Sequence, residues 1–143
     1  MLSWLWIDKI THLVLDFSML KKSQSRVFKT ARFGKDAKKA RISDADLCAV
    51  IRQVMVGQAD DLGGGVFKKR LNDNMHRSII LAKGGGYWVY EYLFAKKDRD
   101  NIEDDELTAF RSLAKAYAGL TDVQISALVS GKDIVEICHD DKA

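Results

Sequence analysis

Proline is absent from the 143 residues. That removes polyproline recognition segments and proline-rich linkers from consideration. Cysteine is nearly as scarce. Cys48 and Cys138 are the only two, and they stand in apolar contexts at no metal-ligand spacing. They read as two reduced, buried thiols, which suits a cytoplasmic protein. No low-complexity tract or solenoid-period repeat occurs. There is no nucleophile elbow, and "KGGG" at Lys83 to Gly86 lacks the spacing of a P-loop. The acids from Asp98 to Glu106 lack the alternation and the glycine of a calcium loop, so they read as helix capping. No Cys/His set is spaced for zinc, and neither a metal nor a cofactor is expected.

A long uninterrupted apolar run is missing too. "MLSWLWIDKITHLVLDFSML" is broken by Asp8, Lys9, His12 and Asp16, and no basic segment precedes it. It reads as neither a membrane span nor a signal peptide. On a helix, Trp6, Ile10, Leu13, Phe17 and Leu20 share one face. Two readings compete: an amphipathic helix that docks on the domain, a partner or a membrane surface, or an upstream extension with Met19 as the natural start. The expected organisation is an extension over residues 1–18 and one domain over residues 19–143.

The composition is globular, with 47% hydrophobic and 30% charged residues. The net charge of +3 hides an asymmetry. Between Val66 and Arg99 the cations are Lys68, Lys69, Arg70, Arg77, Lys83, Lys96, Lys97 and Arg99, against Asp73, Glu91 and Asp98. From Asp100 onward acids predominate. A focused basic region points to a polyanionic partner, nucleic acid above all, or is an ordinary solvated face.

The patterns predict an α+β domain. "RVFKTARF" reads as a first strand and "GKDAKKAR" as a short, strongly basic helical turn or two. "SDADLCAVIRQVMVG" is a helix capped by Ser43 or Asp44, with an apolar stripe of Leu47, Val50, Ile51, Val54 and Met55, ended by Gly57. "QADDLGGG" reads as a loop. "GVFKKRL", "RSIILAK" and "YWVYEYLFAKK" are strands, the last two apolar on both faces and therefore central. Asn72 to Met75 and Lys83 to Gly86 connect them as hairpin turns. Helices follow over Asp100 to Leu120, with acids in the first turn, and over "TDVQISALVSG", capped by Thr121. "KDIVEIC" is a short last strand. The expected fold is a compact antiparallel or mixed sheet of about four strands, with helices grouped at both ends of the chain.

In that topology the ends of the three central strands meet. Lys68, Lys69 and Arg70 leave one strand, His76 and Arg77 begin the next, and Lys96, Lys97 and Arg99 close the third. Crowded cations repel, so an anion such as an RNA or DNA phosphate would relieve the site. Metal-free RNA cleavage needs a group to take the 2′-hydroxyl proton, a group to protonate the leaving oxygen, and cations for the phosphorane. His76 is the histidine of the basic stretch and titrates near neutrality in its ordinary state; the other reading is a plain surface histidine. A crowded lysine can also move protons. Tyr87, Trp88, Tyr90 and Tyr92 are base-stacking candidates or core residues.

"LGGGVFKKRL" (Leu62 to Leu71), "HRSIILAK" (His76 to Lys83) and "YLFAKKDRDNIEDDEL" (Tyr92 to Leu107) together resemble the RelE/HigB-like branch of bacterial type II toxins, in the RelE/ParE superfamily. The resemblance runs from about Val27 to Ala118. It implies a microbial-RNase-like fold and an endoribonuclease that cleaves mRNA, usually on the ribosome. It also implies a helix-turn-helix antitoxin through which the pair binds DNA. The family's basic strand positions fall on Lys68, Lys69 and Arg70. The arginine that begins its next strand falls on Arg77, and its cations after the last central strand fall on Lys96, Lys97 and Arg99. The resemblance thus assigns catalysis to His76, Arg77 and Lys97, and phosphate binding to Lys68, Lys69, Arg70, Lys96 and Arg99. Two departures are visible. The turn "NDNM" is shorter than in many relatives, and Ile102 and Glu103 stand where some have a catalytic tyrosine. They leave open a ParE-like toxin that poisons gyrase by contact, and a non-catalytic module that binds RNA or protein.

Overall fold

A computed structural model describes residues 25–82 and 86–138 of the chain. The expected N-terminal extension and most of the Lys83–Gly86 turn lie outside the described residues. Strand β1 (Arg26–Thr30) leads directly into helix α1 (Ala31–Lys39), and α2 (Asp44–Met55) follows. Then come β2 (Asp60–Gly63), β3 (Val66–Leu71), β4 (His76–Leu81) and β5 (Tyr87–Ala95). Helices α3 (Asp104–Ala118) and α4 (Asp122–Ser130) precede β6 (Ile134–Ile137). None of the described helices is long and apolar enough to cross a membrane.

The class is α+β, as expected, but among the described residues the sheet has six strands rather than about four, in the order β2-β3-β4-β5-β1-β6. All neighbours are antiparallel except β1 and β5, which run parallel. β4 and β5 are central, as their two apolar faces require. Part of the segment read as a loop is strand β2. Its exposed Asp60 and Asp61 and its terminal glycine hid the pairing with β3, and it lies at an edge of the sheet among the described residues. Strand β1 is shorter than expected. Thr30 ends it, because its Oγ1 accepts from Phe33 N at 3.1 Å and caps α1, so Ala31 to Phe33 are helical.

The helices cover both faces of the sheet. On one face α1 and α2 bury Phe33, Ala37, Leu47, Ile51 and Val54 against Val27, Leu71, Ile80 and Tyr90. On the other, α3 and α4 bring Ala114 and Ile125 against Phe28, Val66, Ile79, Leu81 and Val89. The expected stripe on α2 is buried at Leu47, Ile51 and Val54, while Met55 is exposed at the helix end. Ser43 is the N-cap, in a capping box with Asp46.

The two cysteines are not reduced thiols. Cys48 on α2 and Cys138 after β6 are joined in a disulfide. They lie 90 positions apart in the chain, so their spacing carried no sign of the pairing. They meet because β6 docks beside β1 and delivers Cys138, at φ 68°, to the α2 face of the sheet.

Candidate functional site

Antiparallel register brings the predicted strand ends together. Leu71 lies opposite His76, and His76 opposite Ala95. The pleat then sorts the basic residues, because directly opposed residues project to the same face. Arg70, Arg77 and Phe94 form one cross-strand row, and Lys68, Ile79 and Tyr92 form the next row on that face. Ile79 and Phe94 pack with the α3 side, which identifies the face. Lys69 and His76 project to the opposite face, in register with Ser78 and Leu71.

Arg77 is the buried charge of this row, at 8% exposure. Its Nη1 donates to Asn74 O at 2.9 Å and to His76 O at 3.1 Å, so it braces the β3–β4 turn. Among the described residues it forms no ion pair with a carboxylate. The turn itself is tight: Asn72, Asp73 and Asn74 all have positive φ, a conformation that Asn and Asp tolerate better than most residues. Asn72 Nδ2 lies 3.2 Å from His76 Nδ1 and steadies the ring.

Arg99 reaches the same face from the loop after β5. Its Cζ lies 5.5 Å from the Phe94 ring centre and 5.9 Å from that of Tyr92. Glu106, at the start of α3, grips the guanidinium through both carboxylate oxygens, and the Tyr92 hydroxyl accepts from Nη1 at 3.3 Å. The hydrogen bonds to Glu106 and Tyr92 raise the Arg99 pKa, and the same contact with Arg99 lowers that of Glu106. Lys68 Nζ lies 3.4 Å from Asn101 Oδ1 and 3.9 Å from Asp60 Oδ2. Lysine and loop thereby approach across the sheet.

Of the remaining predicted residues, Lys69 donates to Gln58 O at 2.6 Å on the far face. Lys96 and Lys97 are exposed in the turn after β5. His76 reaches the edge of β5, where it shares a cavity with Tyr92 and Arg99. Tyr90 is a core residue, fully buried, and donates to Leu47 O at 2.7 Å. Trp88 packs on Phe67. Tyr92, packed against Phe94 and Phe110, reaches the site. Sequence reasoning missed α1 as a contributor: Arg32, Asp36 and Lys39 line that cavity. The signal is the unusually basic "GKDAKKAR", which carries Asp36 and Lys39.

A cationic face on a mixed sheet can hold a phosphodiester, and the comparison with known families gives that face a context. The family model described as "RelE toxin of RelE / RelB toxin-antitoxin system" matches residues 25–137. The chain belongs to the RelE toxin family. It is therefore a toxin of a toxin–antitoxin system, and an antitoxin partner goes with it. The match begins at the first described residue and runs to the end of β6, so it spans every element of the fold. No curated protein matches the chain.

Proposed function

We propose that this RelE-family chain is a metal-independent endoribonuclease that cleaves mRNA, with ribosome-bound mRNA as its substrate. The observation that carries the reading is Arg77: a guanidinium sunk to 8% exposure, in register with Arg70 and without a carboxylate partner among the described residues. A buried charge without a counterion is costly. A substrate phosphate supplies that counterion, and a phosphorane, which carries more charge, supplies it better.

In this reading Arg70, Arg77, Arg99 and Lys68 hold the scissile phosphate from the α3 face, with Lys96 in the turn beside them. The adjacent 2′-hydroxyl attacks phosphorus, the bond to the 5′ oxygen breaks, and the products are a 2′,3′-cyclic phosphate and a free 5′-hydroxyl. His76, entering through the cavity that it shares with Tyr92 and Arg99, and Lys97 in the exposed turn are the groups assigned to proton transfer. Lys69 faces away and serves the strand of RNA beyond the site. A helix-turn-helix antitoxin covers the cationic face in the resting cell, DNA is reached only through that complex, and the toxin acts in the cytoplasm.

Controlled expression with primer extension on cellular mRNA tests this. Discrete new 5′ ends inside translated regions are expected, with at least a hundredfold fewer for Arg77→Ala, the scale of losing one donor to the transition state. Because Arg77 also braces a turn, Arg77→Lys and the urea midpoint of both variants separate chemistry from folding. Growth arrest without new ends would select the gyrase-poisoning reading instead.

A further inference from the structure

β1 pairs with β5 only from Arg26 to Lys29, opposite Tyr87 to Tyr90, and then becomes α1. Among the described residues, β5 from Glu91 to Ala95 has no strand on that side. The helix packs there instead and leaves a cavity of about 370 Å³, within the range of small-ligand sites. One wall is a single face of α1, which presents Arg32, Asp36 and Lys39 at helical spacing. Tyr92, Asp98, Arg99 and His76 line the cavity on the side of β5 and the loop after it. Arg32 Cζ stands 5.7 Å from the Tyr92 ring centre.

The signs of these charges limit the ligand. A bare phosphate would be repelled by Asp36 and Asp98, which both line the cavity, and the Asp36 carboxylate has no ion-pair or hydrogen-bond partner among the described residues. A cation would be repelled by Arg32, Lys39 and Arg99. A nucleotide carries what both kinds of group need: an anionic phosphate, and a flat base whose edge donates N–H bonds. Guanidinium and phenol planes are good neighbours for that base.

We propose that the cavity between α1 and β5 is a base-reading subsite for one nucleotide of the RNA. The phosphate lies on Arg32 and Lys39, and the amino edge of the base donates to Asp36. Adenine, cytosine and guanine carry an exocyclic amine that uracil lacks, so uracil is disfavoured. The assignment deepens the reading above and rests on it for the source of the nucleotide.

The test titrates the full-length chain with the four nucleoside 3′-monophosphates, followed by amide chemical shifts, alongside primer extension for the same variants. Saturable binding is expected, weaker for uridine monophosphate, with shifts on α1 and at Tyr92. Asp36→Asn should change the preference for amino bases by about tenfold, and should redistribute mRNA cleavage sites without stopping cleavage. Arg32→Glu should weaken all four ligands. If inorganic phosphate binds as well as the nucleotides, or if Asp36→Asn leaves both base ranking and cleavage pattern unchanged, the subsite is overturned while the cleavage reading stands. Asp36-dependent nucleotide binding without mRNA cleavage would do the reverse.

Discussion

Arg77 is buried and Glu91 half-buried, on the neighbouring strands β4 and β5, and the fold treats them oppositely. Arg77 donates to two turn carbonyls and has no carboxylate partner among the described residues. Glu91 is the extra residue of a β-bulge, where Ile79 pairs with Tyr92 but Ile80 pairs with Tyr90. Its Oε2 is buried with no hydrogen-bond partner among the described residues. Burial pushes its pKa above the usual carboxylate range, and the neighbouring Tyr117 only partly opposes this. The Tyr117 hydroxyl is in turn pushed up to about 12 by burial and by Glu91. The sign follows by linkage: between the unfolded and the folded pKa of Glu91, the folded state holds a proton that the unfolded state has released. The contribution to stability is complete below the unfolded value and is lost as pH rises through the folded one. Urea midpoints should fall as pH rises from the ordinary glutamate value through the raised folded one. Glu91→Gln should flatten the slope; an equally steep slope in the variant would place the titration elsewhere.

At the scale of elements, the decisive event is the short first strand. Thr30 is both the last residue of β1 and the cap of α1, and its hydroxyl also lies 3.4 Å from Glu91 O, at the bulge. One residue thus ends the parallel pairing, starts the helix and ties the helix to the strand that carries Tyr92. Lys38 and Lys39 in the last turn of α1 complement its dipole and leave Lys39 at the cavity. Thr30→Ala should cost about 1 kcal/mol, as loss of a cap does, with most of it retained in Thr30→Ser. Equilibrium urea unfolding checks the pair. Equal stability of all three proteins would show that the cap is not what stops the strand.

For the whole molecule, the sheet is held between two helical layers, and the disulfide ties the last strand to the layer formed by α1 and α2. β6 is a four-residue edge strand with β1 as its one neighbour among the described residues. The cross-link spans 90 positions, and closing a loop of that size restricts the unfolded chain by about 4.6 kcal/mol. Reduction should therefore lower the urea midpoint markedly, and a Cys48→Ser, Cys138→Ser double variant should match the reduced protein and lose all response to dithiothreitol. A midpoint indifferent to reductant in the parent chain would contradict this.

Much of this was legible along the chain, because it depends on neighbours in sequence. The capping residues Ser43 and Thr121, the apolar runs of β4 and β5, and the acids that open α3 act locally or through the period of one element. The cationic residues were legible as a group for the same reason. Their division was not. Whether Lys68 or Lys69 joins Arg77 depends on strand register, and a shift of one residue would exchange them. Strand β2 has polar residues and exists through its pairing with β3. The Cys48–Cys138 bond and the meeting of Asp36 with Tyr92 join parts of the chain far apart in sequence. The sequence by itself determined the α+β class, the order of most elements and the basic character of one end of the sheet. Only the tertiary structure decided which cations share a face, which aromatic ring lies beside them and which cysteine finds which, because those are contacts between elements rather than properties of any one.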